Sequence, residues 1–303
     1  MTDAAIQRVA AKVRPKSPWQ VWRDSAGRLS PLRIAALALL CVPVAVAIYD
    51  FNTEGFGARP LNNVIHRAGY WAMIFLMTSL AITPLRRIAR FNLLVDVRRM
   101  IGVGAFVYAA THITLYVADQ MFDLWKVASE IALRLYLTIG FTALLGLTAL
   151  AITSTDGMVR RLGGKRWQRL HNIIYGIGLL ALIHYFQQTK ADVSVPTFVA
   201  GLFAWMLGYR LLLKFRKTRD EPPAWMLLAL SAVVAALVFV AEAIGIGIVF
   251  NVSPFRVLEN AFDFDDLDSI RPGWLVLGAG LIVVGLDLVR QRFGSRRGPA
   301  TPA

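Results

Sequence analysis

The four histidines are the residues of this chain best suited to chemistry. His112, His171 and His184 each lie inside a hydrophobic segment, and His66 begins another. An ionisable side chain is costly inside a bilayer and usually marks a function there. Imidazole is also the commonest metal ligand and a standard axial ligand of haem iron. The histidines therefore indicate a membrane protein that carries electrons on haem.

The composition is that of a membrane protein and excludes several other classes of redox protein. Hydrophobic residues make up 56% of the 303 residues, and long apolar runs recur along the whole chain. Cys41 is the single cysteine, so the chain alone forms no disulfide, cysteine-rich metal site or iron–sulfur cluster. No glycine-rich phosphate loop follows a strand, and no polar segment is long enough to form a nicotinamide-binding domain.

Eight apolar segments are long enough to cross a membrane, since a helical span needs about 20 residues. The sequence therefore predicts an all-α fold, a polytopic membrane bundle of about eight transmembrane helices. The predicted spans are 32–50, 65–84, 100–119, 132–152, 168–187, 195–213, 224–250 and 273–289.

The basic residues predict how this bundle is oriented. Most of the 33 lysines and arginines fall in the two tails and in the loops at 85–99, 153–169 and 210–223. Cytoplasmic loops are the ones enriched in lysine and arginine, so both termini are predicted to be cytoplasmic. Orientation and contact with lipid headgroups then account for the net charge of +14, and no nucleic-acid partner is expected.

The predicted outer loop at 251–271 is acidic, in contrast to the inner loops. A solvated loop that respects the charge rule explains it, and a docking surface or weak cation site is the alternative. Its carboxylates are Glu259, Asp263, Asp265, Asp266 and Asp268.

The depths of the histidines suggest how they are paired. His112 lies about 18 Å along its outward-running span, and His184 lies about 20 Å beyond His171 on another outward-running span. His112 and His184 are thus predicted to lie at the same outer level and to bind one haem iron from opposite sides. His171 is left at the inner level for a second haem or another redox centre, where the facing span carries Arg99 instead of a histidine.

The thirteen-residue spacing of His171 and His184 complicates this arrangement, because it places them about 220° apart on an ideal helix. Either local distortion brings both to one cleft, or the two centres face different neighbours. Hydrogen bonding or proton relay between helices is the alternative role for the three histidines inside spans. For His66, the alternative to a ligand or redox role is a solvated residue at a helix start.

The same segments resemble a known family. They are similar to the MsrQ or YedZ family, the haem-binding membrane subunits of bacterial methionine sulfoxide reductase systems, which belong with the ferric reductase-like transmembrane domains. The resemblance covers about residues 35–215 and is carried by the stretches PLNNVIHRAGYWAM, ITPLRR, RRMIGVGAFVYAATHITLY and TSTDGMVRRLGGKRWQRLHNIIYGIGLLALIHY.

The resemblance implies an inner-membrane protein that passes electrons outward to MsrP, a periplasmic subunit with a molybdenum cofactor. That partner reduces methionine sulfoxide in oxidised periplasmic proteins. The resemblance also implies electrons from the quinone pool or a flavin reductase, and haem b and FMN as cofactors. The family's haem-associated histidines fall on His112, His171 and His184. His66 matches a family histidine in the pattern His66-x-x-Gly69.

The resemblance also suggests a division of the chain. We expect a basic cytoplasmic tail at 1–31, a haem-binding core of six helices at 32–215, and a cytoplasmic disordered tail at 290–303. Between the core and that last tail, residues 216–289 form a two-helix extension, with the acidic loop, beyond the shorter family form.

Two other functions remain open on the sequence. The first is a stand-alone transmembrane ferric or quinone reductase, which would be an enzyme. The family resemblance instead implies an electron-transfer subunit that has no turnover of its own without its partner. The missing nicotinamide-binding domain speaks against a self-sufficient enzyme of that kind. The second is a transporter or a structural membrane protein, which would be colourless when purified.

Overall fold

The computed structural model describes residues 21–23, 27–53, 55–189, 192–216, 221–264 and 270–294. Most of the basic N-terminal tail, residues 265–269 of the acidic loop and the C-terminal residues 295–303 lie outside this description. The described residues form helices joined by short connections, with one isolated β-bridge between Arg23 and Leu29 and no sheet.

The described part of the chain contains twelve α-helices. In chain order, α1 to α12 are Pro31–Thr53, Pro60–Ile88, Val95–Asp119, Leu124–Leu133, Leu135–Ile152, Asp156–Leu162, Gly164–His171, Ile174–Gln188, Ser194–Phe215, Ala224–Phe250, Pro254–Glu259 and Pro272–Gly294.

Within the described ranges, seven helices are long and apolar enough to cross a membrane, which confirms the predicted polytopic helical bundle. They correspond to seven of the eight predicted segments. The remaining segment, 168–187, is formed by the end of α7 and by α8, which has 15 residues and spans about 22 Å. Between these helices the chain tightens, because the Ile173 amide donates to the Leu170 carbonyl at 3.1 Å, three residues back instead of four.

Two close helix pairs form the centre of the bundle. Helix α2 packs along α3, and α5 packs along α8. Helix α2 is the most deeply buried span, with Phe75 and Leu80 at 1% and 2% exposure. Helix α1 lies at the edge of the bundle against α3, where the Tyr108 hydroxyl donates to the Leu40 carbonyl at 2.7 Å.

A third close pair is made by α10 and α12, and α9 joins it to the centre. The Trp205 indole of α9 donates to the Ser231 hydroxyl of α10 at 3.0 Å. Two buried carboxylates in this pair have cationic partners: Glu242 with Arg271, and Asp287 with Arg290. Helix α9 contacts α2 and α8 before residue 216 and α10 and α12 after it. The division of the chain near residue 216 therefore stays a prediction.

A glycine on α12 sets how closely this third pair packs. A Cβ added at Gly280 would press on the Ser231 side chain and lie 3.4 Å from the Trp205 indole nitrogen. A Cβ added at Gly278, on the same helix, would meet nothing within 4 Å.

We therefore expect Gly280→Ala to destabilise the protein by about 1–3 kcal/mol, since overpacking a tight contact forces its neighbours apart. Gly278→Ala is the matched control, with little loss or a small gain from better helix propensity. Thermal unfolding in detergent measures both. Equal midpoints for the two variants would contradict the close packing of α12 on α10.

Candidate functional site

His112 and His184 come together between the two central helix pairs. His112 lies on α3 and His184 on α8, and their ring centres are 6.3 Å apart with the planes at 80°. Both side chains are partly buried. The structure thus brings together the two histidines that were predicted to share one level of the membrane.

Each imidazole is held by a backbone carbonyl of the neighbouring helix. The Nδ1 atom of His112 lies 2.8 Å from the Ile65 carbonyl oxygen of α2. The Nδ1 atom of His184 lies 2.8 Å from the Tyr136 carbonyl oxygen of α5. A carbonyl only accepts hydrogen bonds, so Nδ1 carries the proton in both rings, and each neutral ring keeps its lone pair on Nε2. This is the arrangement that orients a histidine for metal binding.

In both helices, a glycine lies four residues after the residue that supplies the carbonyl: Gly69 after Ile65, and Gly140 after Tyr136. A Cβ added at Gly69 would lie 3.0 Å from Nδ1 of His112, and one at Gly140 would lie 2.7 Å from Nδ1 of His184. In a helix, the carbonyl of one residue points toward the residue four positions later. A side chain at that later position would cover the carbonyl, so glycine lets the imidazole reach it.

The spacing of the two rings fits a single iron between them. A metal–imidazole bond is about 2 Å long, and each ring centre lies about 1 Å behind its nitrogen, so two rings on one ion have centres about 6 Å apart. The described residues contain no cluster of three or more histidine, cysteine or acidic side chains that would hold a bare ion. Two neutral imidazoles suit haem, because the porphyrin supplies the other ligands.

His171 has different surroundings from the pair. Its ring stacks on Trp167, with centres 3.8 Å apart, and its Nε2 atom lies 3.1 Å from the Thr153 hydroxyl. His171 ends α7 whereas His184 belongs to α8, so the ideal-helix angle between them does not apply. Both histidines contact α5, His171 at its C-cap Thr153 and His184 at Tyr136, and both approach α3. Of the two arrangements that the sequence left open, the structure has the one in which a local distortion brings both to the same cleft, at different levels.

A cavity of about 320 Å³ adjoins His171. Arg98 and Arg99 of α3 line it, and no second histidine does. The Trp167 indole beside it donates to the Thr153 carbonyl at 2.8 Å, which fixes the Trp167–His171 stack against the end of α5. A second redox centre at His171 stays a prediction. Such a centre would lie beside the cavity that Arg98 and Arg99 line.

His66 lies beside the histidine pair without joining it. It is exposed on α2, next to Ile65, whose carbonyl holds His112.

The short helix α4 links the surroundings of the two histidines. Glu130 of α4 accepts a hydrogen bond from the hydroxyl of Tyr116, one turn beyond His112. Glu130 also accepts from Arg134 at 3.3 Å, and Arg134 donates to the Tyr136 hydroxyl at 3.2 Å. Because the Tyr136 carbonyl holds His184, Glu130 connects the surroundings of both imidazoles.

No sequence signal pointed to Glu130 or Tyr136, which lie on the short helix α4 and at the start of α5. Gly140 also went unnoticed, although its position four residues after Tyr136 repeats that of Gly69 after Ile65. That repeat was the available signal.

Comparison with known proteins is consistent with this geometry. The family model described as "Ferric reductase like transmembrane component" matches residues 68–182, which include His112 and His171. No solved structure matches the chain significantly.

Several curated relatives carry the name "Protein-methionine-sulfoxide reductase heme-binding subunit MsrQ". The protein of Xanthomonas campestris pv. campestris (strain 8004) is 41% identical over 186 residues, 59% of this chain and 85% of the relative. The protein of Rhodospirillum rubrum is 40% identical over 199 residues, 65% of this chain and 93% of the relative. Since the chain covers most of each relative at this identity, it belongs to the MsrQ family.

Proposed function

We propose that this chain is the haem-binding, electron-transferring membrane subunit of a methionine sulfoxide reductase system. The observation that carries the proposal is the His112–His184 pair, with ring centres 6.3 Å apart and both Nδ1 atoms engaged by carbonyls. Two further findings support it: the polytopic apolar bundle, and relatives whose names describe heme-binding subunits.

His112 and His184 would hold haem b, which supplies reversible one-electron oxidation and reduction of its iron. The chain's own task is to hold both imidazoles in the tautomer that leaves Nε2 free, inside an apolar bundle that excludes water. The relatives, whose names describe a heme-binding subunit, favour an electron-transfer subunit over a stand-alone ferric reductase.

The direction of transfer is proposed from the charges and the family. By the positive-inside rule, the basic loops support cytoplasmic termini and a histidine pair near the periplasmic face of a bacterial inner membrane. Electrons would enter at the inner face from the quinone pool or a cytosolic flavin reductase. His171 would hold a second haem or another redox centre, and FMN would be a further cofactor of the chain. They would leave to MsrP, the periplasmic molybdenum-cofactor subunit that repairs oxidised proteins.

The pairing of the ligands is tested by single substitutions. We expect His112→Ala and His184→Ala each to remove the same haem absorption, because each deletes one axial ligand of one iron. His66→Ala, outside the pair, is the control and keeps that absorption. The measurement is the Soret and α-band spectrum of the purified, reduced protein. Loss of different bands in the two alanine variants would overturn the proposal.

The glycine beneath His184 gives a second prediction. Gly140→Ala places a methyl group against the ring and breaks its bond to the Tyr136 carbonyl. Loss of such a supporting contact costs about 10- to 100-fold in metal affinity, so haem affinity should fall by that factor.

Gly176→Ala on α8 is the matched control, because a Cβ there meets nothing within 4 Å. Haem titration into the haem-free protein measures both variants. Equal affinities would show that the carbonyl contact does not hold the imidazole.

A further inference from the structure

Met121 occupies a backbone position that usually belongs to glycine. Helix α3 ends in two capping hydrogen bonds: the Met121 amide donates to the Ala118 carbonyl, and the Phe122 amide donates to the Val117 carbonyl, each at 2.9 Å. This is the Schellman motif, in which the residue beyond the C-cap is left-handed and is most often glycine. Met121 has a φ of 55° and Phe122 a φ of 59°, a conformation that residues with a side chain seldom adopt.

The Met121 side chain does not offset this backbone strain by packing. It is 86% exposed, and no other methionine within the described ranges is exposed. Met73 and Met206 are buried, and the sulfur of half-buried Met226 accepts from Arg216 at 3.4 Å. Methionine usually fills gaps in a core. The cap at the end of α3 instead keeps a thioether on the surface at a position where glycine would be less strained.

This turn lies at the predicted outer boundary of the membrane. Helix α3 ends at Asp119, about 10 Å along the helix from His112. Asp119 and Asp123 flank Met121 closely in sequence, and both are exposed. Carboxylates are costly in hydrocarbon, so the two of them place the turn at the level that water reaches. The Met121 sulfur is therefore open to oxidants dissolved in the water outside.

A surface thioether undergoes a defined oxidation and a defined repair. Hypochlorous acid transfers its oxygen to the sulfur, so the sulfide becomes a sulfoxide while the oxidant leaves as chloride and a proton. Repair takes two electrons and two protons, returns the sulfide and releases water. Under the proposed function, the partner of this chain performs that repair, and its electrons leave the chain at this same face.

We propose that Met121 is an oxidation site at the outer face and that its sulfoxide is a substrate of the reductase system to which this chain belongs. The repair step rests on the proposed function, whereas the oxidation step depends only on the exposure of the thioether. Oxidation converts an apolar side chain into a polar one. The change occurs at the end of the helix that carries His112.

The oxidation step is tested on the full-length, haem-loaded chain in nanodiscs. The sample is treated with a limiting amount of hypochlorous acid, and peptide mass spectrometry follows the sulfoxide at each methionine. We expect Met121 to be oxidised at least about tenfold faster than Met226, because susceptibility follows exposure. A rate at Met121 no higher than that at Met226 would show that lipid or protein covers the thioether, and it would overturn the proposal.

Met121→Gly is the informative variant, because glycine is the residue that this cap prefers and the fold should be kept. The first oxygen atom that the wild type takes up should be missing from this variant. Met158→Leu, at a half-buried methionine of α6, is the matched control and should keep that early uptake. Equal early uptake by wild type and Met121→Gly would contradict the assignment of the site.

The repair step is tested by adding the molybdenum-cofactor subunit to the oxidised chain, with a reduced viologen dye as electron donor. We expect the sulfoxide at Met121 to fall by at least about half, since oxidation gives two sulfoxide epimers and many reductases accept only one. Free methionine sulfoxide in the same mixture is the control for an active partner. If the free sulfoxide is reduced and the one at Met121 persists, the repair proposal is wrong.

The choice of donor separates this proposal from the proposed function. The dye reduces the partner directly, whereas a quinol must send its electrons through the chain. Repair with the dye but none with the quinol supports Met121 as a substrate, and only the electron-transfer function fails. A normal Soret band and repair of free sulfoxide by the quinol, without repair at Met121, would leave the function intact and overturn only the Met121 proposal.

Discussion

The structure depends on one repeated contact, an imidazole N–H donated to a helix carbonyl that a glycine leaves uncovered. It occurs at His112 over Gly69 and again at His184 over Gly140. Each contact fixes which ring nitrogen is protonated and how the ring is turned. A histidine side chain has two rotatable bonds, and without this contact neither its direction nor its tautomer would be defined inside an apolar bundle.

This contact also explains the architecture at the centre of the molecule. Each histidine lies on one helix of a close pair, and the partner helix supplies the carbonyl and the glycine. The pair α2–α3 carries His112, and the pair α5–α8 carries His184. Close packing within each pair is therefore a condition for placing the imidazoles. The third pair, α10–α12, has no histidine, and its polar contacts are structural: a buried indole–hydroxyl bond and paired carboxylates.

The sequence predicted the spans and the equal depth of His112 and His184, because hydropathy and the rise per residue depend only on local spacing. It did not predict the break at Asn172 and Ile173, since three-residue hydrogen bonds within a helical run leave no clear compositional mark. Nor did it predict the role of Tyr136, which acts through its backbone carbonyl and could have been any residue. Glu130 was missed because its importance lies in which helices approach it, and that is fixed by tertiary packing.

The two ends of the proposed electron path differ in chemistry. The predicted outer end is a pair of imidazoles in similar surroundings, connected to α4 through Glu130. The inner end has one histidine, stacked on an indole, beside a cationic cavity.

The electron paramagnetic resonance spectrum of the oxidised, haem-loaded chain tests the central claim most directly. Two imidazole ligands with planes at 80° predict a strongly anisotropic low-spin ferric signal that added azide leaves unchanged. A high-spin signal, or one that azide converts to another species, would show an open axial position and contradict the His112–His184 pair.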